Sequence, residues 1–272
     1  MLRYDDLVQR NVGYVSNELQ HRIRETCVLV AGCGIGSTFA ESVVRIGFEQ
    51  LILADGDTVA AHNLNRQNFT ASDIGRPKVD ALADRLRAIN PAVNVRKISE
   101  NLDQCNTADA VEEADFVFDT IDFLDLPAIV GLHDECSRQG KPAISALAMG
   151  WGAGCVYFPP RGEWSFRRVF GISEDEVVSA ASYRSAFAPL AGRLAERLDA
   201  QVAKVLSDAL AVMEDGAPCP ASQVSPGAQS LGALATTLLI EVLAGRAVRS
   251  APALLVTDPS AALRAPRIDL SC

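Results

Sequence analysis

The sequence predicts an α/β fold: a doubly wound, mostly parallel sheet with a C-terminal helical lobe. Three observations carry this. Apolar runs of strand length alternate with amphipathic helical stretches through the first half of the 272 residues, a glycine-rich turn joins the first such pair, and the alternation stops after Pro159-Pro160.

The elements follow in order. Residues 27–31 form an apolar run that reads as a buried parallel strand. Gly32, Gly34 and Gly36 then make a turn into an apolar-periodic helix ending near Gly47. Backbone without Cβ atoms can approach a phosphate closely there, at a helix N-terminus that favours anions. Residues 51–54 supply the next strand. It delivers Asp55 about 20 residues after Gly32, the distance at which an acid meets ribose hydroxyls in Rossmann-like nucleotide folds. Pro77 opens a helix that stops before Asn90-Pro91; strands follow at 93–98 and 115–118, then a helix near 127–139 and a strand at 142–147. Every phosphate-binding loop thus falls at the carboxyl end of a strand, in one crevice.

Beyond residue 160, Ser173 with Glu176 forms a capping box ahead of a helix. Leu190, Leu194, Leu198, Val202 and Val205 trace the apolar stripe of a second helix reaching Met213. Residues 216–227, rich in Pro, Gly and Ser, read as a loop into a last buried helix at 231–244. The expected organisation is an N-terminal arm (1–25), a nucleotide-binding core (26–158) and a helical insertion with a substrate lobe (159–272).

After Asp55 the chain departs from an ordinary dinucleotide site. Asp57, Asn63, Arg66 and Gln67 crowd the next turn, and Lys78 follows at a helix start. Arg as a fork and Lys as a point charge, just beyond a ribose acid, suit a triphosphate better than nicotinamide. Asp57 orients the loop or a basic neighbour, while Asn63 and Gln67 either donate amides to phosphate or hold the loop.

Taken together, the glycine turn, Asp55-x-Asp57, Asn63-x-x-Arg66-Gln67, Gly75-x-x-Lys78 and Asp119-x-x-Asp122 stand in an order that resembles the ThiF/MoeB/HesA family. These relatives of ubiquitin-activating enzymes adenylate a carboxylate with ATP. The likeness runs from about Arg10 to Tyr157 and resumes near Cys219 to Gly245; Ser37 replaces the third glycine and Phe123 the usual asparagine.

The resemblance implies ATP as cosubstrate, with magnesium held by Asp122 and supported by Asp119. It implies a small sulfur-carrier or ubiquitin-like protein, or a peptide, presenting a free C-terminus. It carries Arg10 into the neighbouring protomer's active site, hence a homodimer, and sets Cys219 close to the crossover cysteine that some members use for an acyl-disulfide or thioester. Alternatives are a tRNA threonylcarbamoyl-adenosine dehydratase, a nicotinamide-dependent oxidoreductase, which leaves Arg66, Lys78 and Asp122 idle, and a non-catalytic scaffold, which predicts loss of phosphate ligands that are present here.

Composition narrows the partners. Hydrophobic residues make up 49%, enough for a sizeable core, and a net charge of −9 without any run of Lys or Arg argues against nucleic acid. Seven cysteines include no C-x-x-C pair, so no structural zinc is expected, although many relatives carry two such pairs. The charged N-terminus lacks an apolar signal core, and the apolar stretch at 231–244 is interrupted by Thr236, Thr237 and Glu241. A cytoplasmic protein without a membrane span is the expectation.

Overall fold

The computed structural model describes residues 2–179, 192, 200–214 and 222–264. Strands β1 (Cys27–Ala31), β2 (Gln50–Ala54), β3 (Asn94–Ile98), β4 (Phe116–Asp119) and β5 (Ala143–Met149) pair in parallel. β6 (Gly152–Phe158) and β7 (Leu255–Thr257) add antiparallel, giving the order β3-β2-β1-β4-β5-β6-β7. The sheet is the mostly parallel one expected. Strand order reverses between β1 and β4, where such folds open a crevice at the carboxyl ends.

Helices α1 (Tyr4–Val8), α2 (Asn17–Glu25), α3 (Gly36–Ile46), α4 (Lys78–Ile89), α5 (Thr107–Glu113), α6 (Leu126–Gln139) and α7 (Phe166–Phe170) precede three more at Ala200–Glu214, Ser225–Leu243 and Pro259–Arg264. The sheet is buried on both faces because β1 divides its side chains by the period of two. Val28 and Val30 join Phe39, Leu82 and Leu239 on one side, while Leu29 and Ala31 join Val111, Leu126 and Val130 on the other.

Local chemistry sets the helix ends. Gly47 closes α3 and Gly140 closes α6 in the left-handed conformation, and Asp125 caps α6 by accepting from Ala128 N, with Pro127 in the first turn. The helix Ser225–Leu243 packs against α3 through small residues. A Cβ on Gly232 would come within 2.8 Å of the Thr38 backbone, and Thr38 Oγ1 donates to the Ala228 carbonyl at 2.9 Å. This C-terminal helix therefore belongs to the same core as β1 and α3.

Two expectations about the second half are corrected. Ser173 does not start a helix within the described residues. The serine cap lies earlier, at Ser165, which accepts from Arg168 N to begin α7. The Ser173 carbonyl accepts from Glu176 N at 3.1 Å in a single turn that does not propagate, and Arg167 Nη1 donates to the carbonyls of Ser173 and Glu176 at 2.8 and 3.1 Å. The last helix begins at Ser225, inside the stretch read as loop, because Pro226 suits a first turn. Leu190, Leu194, Leu198 and Cys219 lie outside the described residues.

Candidate active site

The glycine turn is built by close approach. Gly32 has φ +89°, and a Cβ there would sit 2.5 Å from the Thr120 carbonyl oxygen; at Gly36 it would meet Thr120 Oγ1 at 2.6 Å. Thr120 Oγ1 donates to the Gly32 carbonyl at 2.8 Å, tying the loop after β4 to the turn after β1. Ser37, where the family has glycine, contributes a bond of its own. Its hydroxyl donates to the Gly34 carbonyl at 2.6 Å and accepts from Asn68 N at 2.9 Å, joining the turn to the loop that carries Arg66 and Gln67.

Asp55 stands at the end of β2, buried. Its carboxylate accepts from Cys33 N at 2.7 Å and Asp57 N at 2.8 Å, which leaves lone-pair capacity for hydroxyl donors. Burial pushes its pKa up, with Lys78 foremost among the opposing groups. Lys78 itself is buried at the start of α4, with Nζ 2.7 Å from Asp57 and 3.8 Å from Asp55. Asp57 is thus the counter-ion of a basic neighbour, one of the two roles expected of it.

Asn63 holds the loop. Its Oδ1 accepts from Ala60 N at 2.9 Å and its carbonyl accepts from Gln67 N at 2.9 Å. Gln67 lies against the turn: Nε2 is 3.0 Å and Oε1 3.7 Å from where a Cβ on Gly34 would be. Gln67 Oε1 is buried without a hydrogen-bond partner.

Arg66 is half-buried. Nη1 donates to the His62 carbonyl at 2.9 Å and to Asn65 Oδ1 at 2.8 Å, and Nε donates to Gln223 Oε1. Burial lowers its pKa and the Asp122 carboxylate opposes that shift. Asp122 is exposed, with Oδ1 accepting from Leu124 N at 3.1 Å. No group of three or more His, Cys, Asp or Glu among the described residues could hold a metal. A lone carboxylate fits a magnesium ion whose remaining ligands are phosphate oxygens and waters.

Asp119 is a support, fully engaged below the site. Oδ2 meets His133 Nε2 at 3.1 Å and Ser145 Oγ at 3.0 Å, and Oδ1 accepts from Ile121 N at 3.0 Å. Sequence reasoning missed His133, Ser145, Thr120, Asn65 and Gln223. Thr120 sits within the Asp119-x-x-Asp122 motif and Asn65 within Asn63-x-x-Arg66-Gln67, so both were open to notice, whereas no spacing signals His133, Ser145 or Gln223.

The remaining site residue, Arg10, is not brought to this crevice within its own chain. The arm docks at the far end of α3, where Tyr4 Oη donates to the Gly47 carbonyl at 2.9 Å and Asn11 Nδ2 to that of Ile46 at 3.0 Å. Eleven helical residues, roughly 16 Å of axis, separate that end from the glycine turn. Arg10 is exposed there.

Comparison with known proteins agrees with this assembly. The ThiS adenylyltransferase of Escherichia coli is 28% identical over 190 residues, covering 69% of this chain and 75% of that protein. The molybdopterin-synthase adenylyltransferase of the same organism is 28% identical over 214 residues, covering 76% and 82%. The fold matches E. coli MccB crystallised with ATP at a TM-score of 0.59 and 19% identity, over 84% of this chain and 59% of that one. No helix among the described residues is long and apolar enough to cross a membrane. With its ordered motifs gathered at one turn and the ThiF family model matching residues 8–268, the chain belongs to the ThiF family.

Proposed function

We propose that this protein adenylates a carboxylate with ATP, releasing pyrophosphate, and that the carboxylate is the C-terminus of a small sulfur-carrier or ubiquitin-like protein or of a peptide. One observation carries the reading: Lys78 is buried beside Asp55, whose carboxylate accepts from Cys33 N in the glycine turn, while Gln67, next to Arg66 in the chain, lies against Gly34 of the same turn. The relatives named above adenylate a sulfur carrier or belong to molybdopterin synthesis, which supports that substrate class.

The substrate carboxylate is already anionic, so its attack on the α-phosphate requires alignment and charge neutralisation rather than a general base. Asp55 would accept the ribose hydroxyls, and the turn amides at Gly34 and Gly36 would approach phosphate, while Gly32, whose own amide donates to the Ala54 carbonyl at 2.9 Å, shapes the turn. Arg66 and Lys78 would neutralise developing charge as pyrophosphate leaves. Asp122 would hold magnesium, whose contribution is to neutralise phosphate oxygens.

The product is an acyl-adenylate. Cys219, by sequence four positions before Gln223, is the proposed acceptor: its thiolate would attack the acyl carbonyl and expel AMP. Burial pushes Cys27 up to about 11 and Cys136 and Cys155 up to about 12, which makes those thiols poor nucleophiles. Replacing Cys219 by alanine should leave pyrophosphate exchange intact and stop acyl transfer; normal transfer would remove it from the reaction. A homodimer in a reducing cytoplasm completes the proposal.

The experiment that tests the reading is calorimetry with ATP and magnesium against NAD. ATP should bind and NAD should not. Tight NAD binding without ATP binding would overturn adenylation.

A further inference from the structure

We propose that Gln223 is a positioning residue that presents Arg66 to the triphosphate and links the segment ahead of the last helix to nucleotide binding; this rests on the reading above that Arg66 meets phosphate. The observation is a closed ring of three hydrogen bonds. Arg66 Nε donates to Gln223 Oε1, Asn65 Nδ2 donates to the Gln223 carbonyl at 2.9 Å, and Arg66 Nη1 donates to Asn65 Oδ1 at 2.8 Å.

A guanidinium carries five N–H donors in a rigid plane. The His62 carbonyl shares Nη1 with Asn65, so Nε and Nη1 are spent on the protein. Nη2 donates to none of the described residues. Fixing two of the three nitrogens fixes the plane, and with it the direction in which Nη2 points. A long, rotamer-rich side chain is thereby ordered before the ligand arrives, and binding need not supply that ordering.

The choice of glutamine follows the same logic. A carboxylate at this position would hold the guanidinium equally well but would cancel the charge that phosphate needs. The neutral amide oxygen orients Arg66 and leaves its charge available. Gln223 is itself anchored, because the helix starting at Ser225 bonds to α3 through Thr38 and Ala228, and α3 starts at the glycine turn. Phosphate site and C-terminal segment therefore share one frame.

The test uses the full chain, ATP with magnesium by calorimetry, and adenosine as a competitor that lacks phosphates. Wild-type protein should bind ATP, and Arg66→Ala should weaken that binding; no ATP binding to wild type overturns both the adenylation reading and this proposal. Given wild-type binding, Gln223→Met, of similar reach but without an acceptor, should raise the Kd for ATP about tenfold while adenosine competes as before. Gln223→Glu should weaken ATP further than methionine does. Adding Gln223→Met to Arg66→Ala should cost nothing more, because the two act through one contact. Unchanged or tighter ATP binding by Gln223→Met, equal losses for ATP and adenosine, or an additive loss in the double variant would each overturn the positioning role and leave the adenylation reading standing.

Discussion

Lys78 answers to two demands at once, and its variants should separate from those of its neighbours for that reason. Arg66 and Asp122 meet the proposed phosphates at the surface of the crevice, so Arg66→Ala and Asp122→Ala should each depress ATP-pyrophosphate exchange by roughly 10² to 10³, the cost of one preorganised charged contact, with little change in urea midpoint. Lys78→Ala should lose a similar factor and also destabilise the protein, because it leaves Asp55 buried without its cation. The sign of the pH dependence follows. Asp55 already titrates above the ordinary carboxylate value, so its proton favours the folded state at low pH and that contribution fades as pH rises through the raised pKa. Removing Lys78 drives the pKa higher still. The stability deficit of Lys78→Ala should therefore be largest near neutrality and shrink in acid; a deficit independent of pH would assign it to lost packing alone.

Between elements, the joint of α3 with α4 rests on one carboxylate. Glu41 accepts from Arg45 Nε at 2.9 Å and from Arg85 Nε, and takes Asn68 Nδ2 at 2.9 Å from the loop carrying Arg66. Burial pushes its pKa up, but the two arginines outweigh burial and leave it below the ordinary 4.5. A lowered carboxylate stabilises the fold above the unfolded value, and that stabilisation is lost as pH falls through the folded one. Glu41→Gln should thus be less stable than wild type at neutral pH, with the gap in urea midpoint closing below pH 4.5. Elements of this kind differed in how openly the sequence announced them. β1, α3 and β2 were legible because strands buried on both faces are continuous apolar runs punctuated by glycine. β6, GAGCVYF, is half small residues and carries no alternation, and β7 has three residues, too few for any pattern. Ser173 and Glu176 had the spacing of a helix start, yet the chain makes only one turn there, with Arg167 bonded to both carbonyls. In the site, Asp55, Arg66 and Lys78 were readable from order and charge. The partners of Arg66 and Asp119 were not, since Gln223 and His133 reach them through tertiary folding and leave no local trace.

For the molecule as a whole, the arm poses the question of assembly. Arg10 is exposed, away from the glycine turn, and it is flanked by exposed Val12 and Tyr14, the latter 90% accessible. We propose that this face meets a second copy and delivers Arg10 across the contact. Arg10→Ala and Asp122→Ala homodimers should each be nearly inactive in exchange, and mixing them should restore part of the activity through hybrid dimers with one intact site. Absence of rescue at every ratio would count against delivery in trans.

The clamp between α3 and the helix Ser225–Leu243 also sets the timetable of biogenesis. Thr38 and Ala228 are 190 residues apart, and Arg22 reaches the Leu243 carbonyl across 221. Leu231, Ala235 and Leu239 fill the face on which Phe39 and Val43 lie, so a nascent chain that has made its glycine turn still presents an unsealed apolar surface. Contacts that distant cannot form until the segment up to Leu243 has left the ribosome. The half that carries the glycine turn is thus written early and sealed late, and until that helix emerges it presents apolar surface that the finished fold buries.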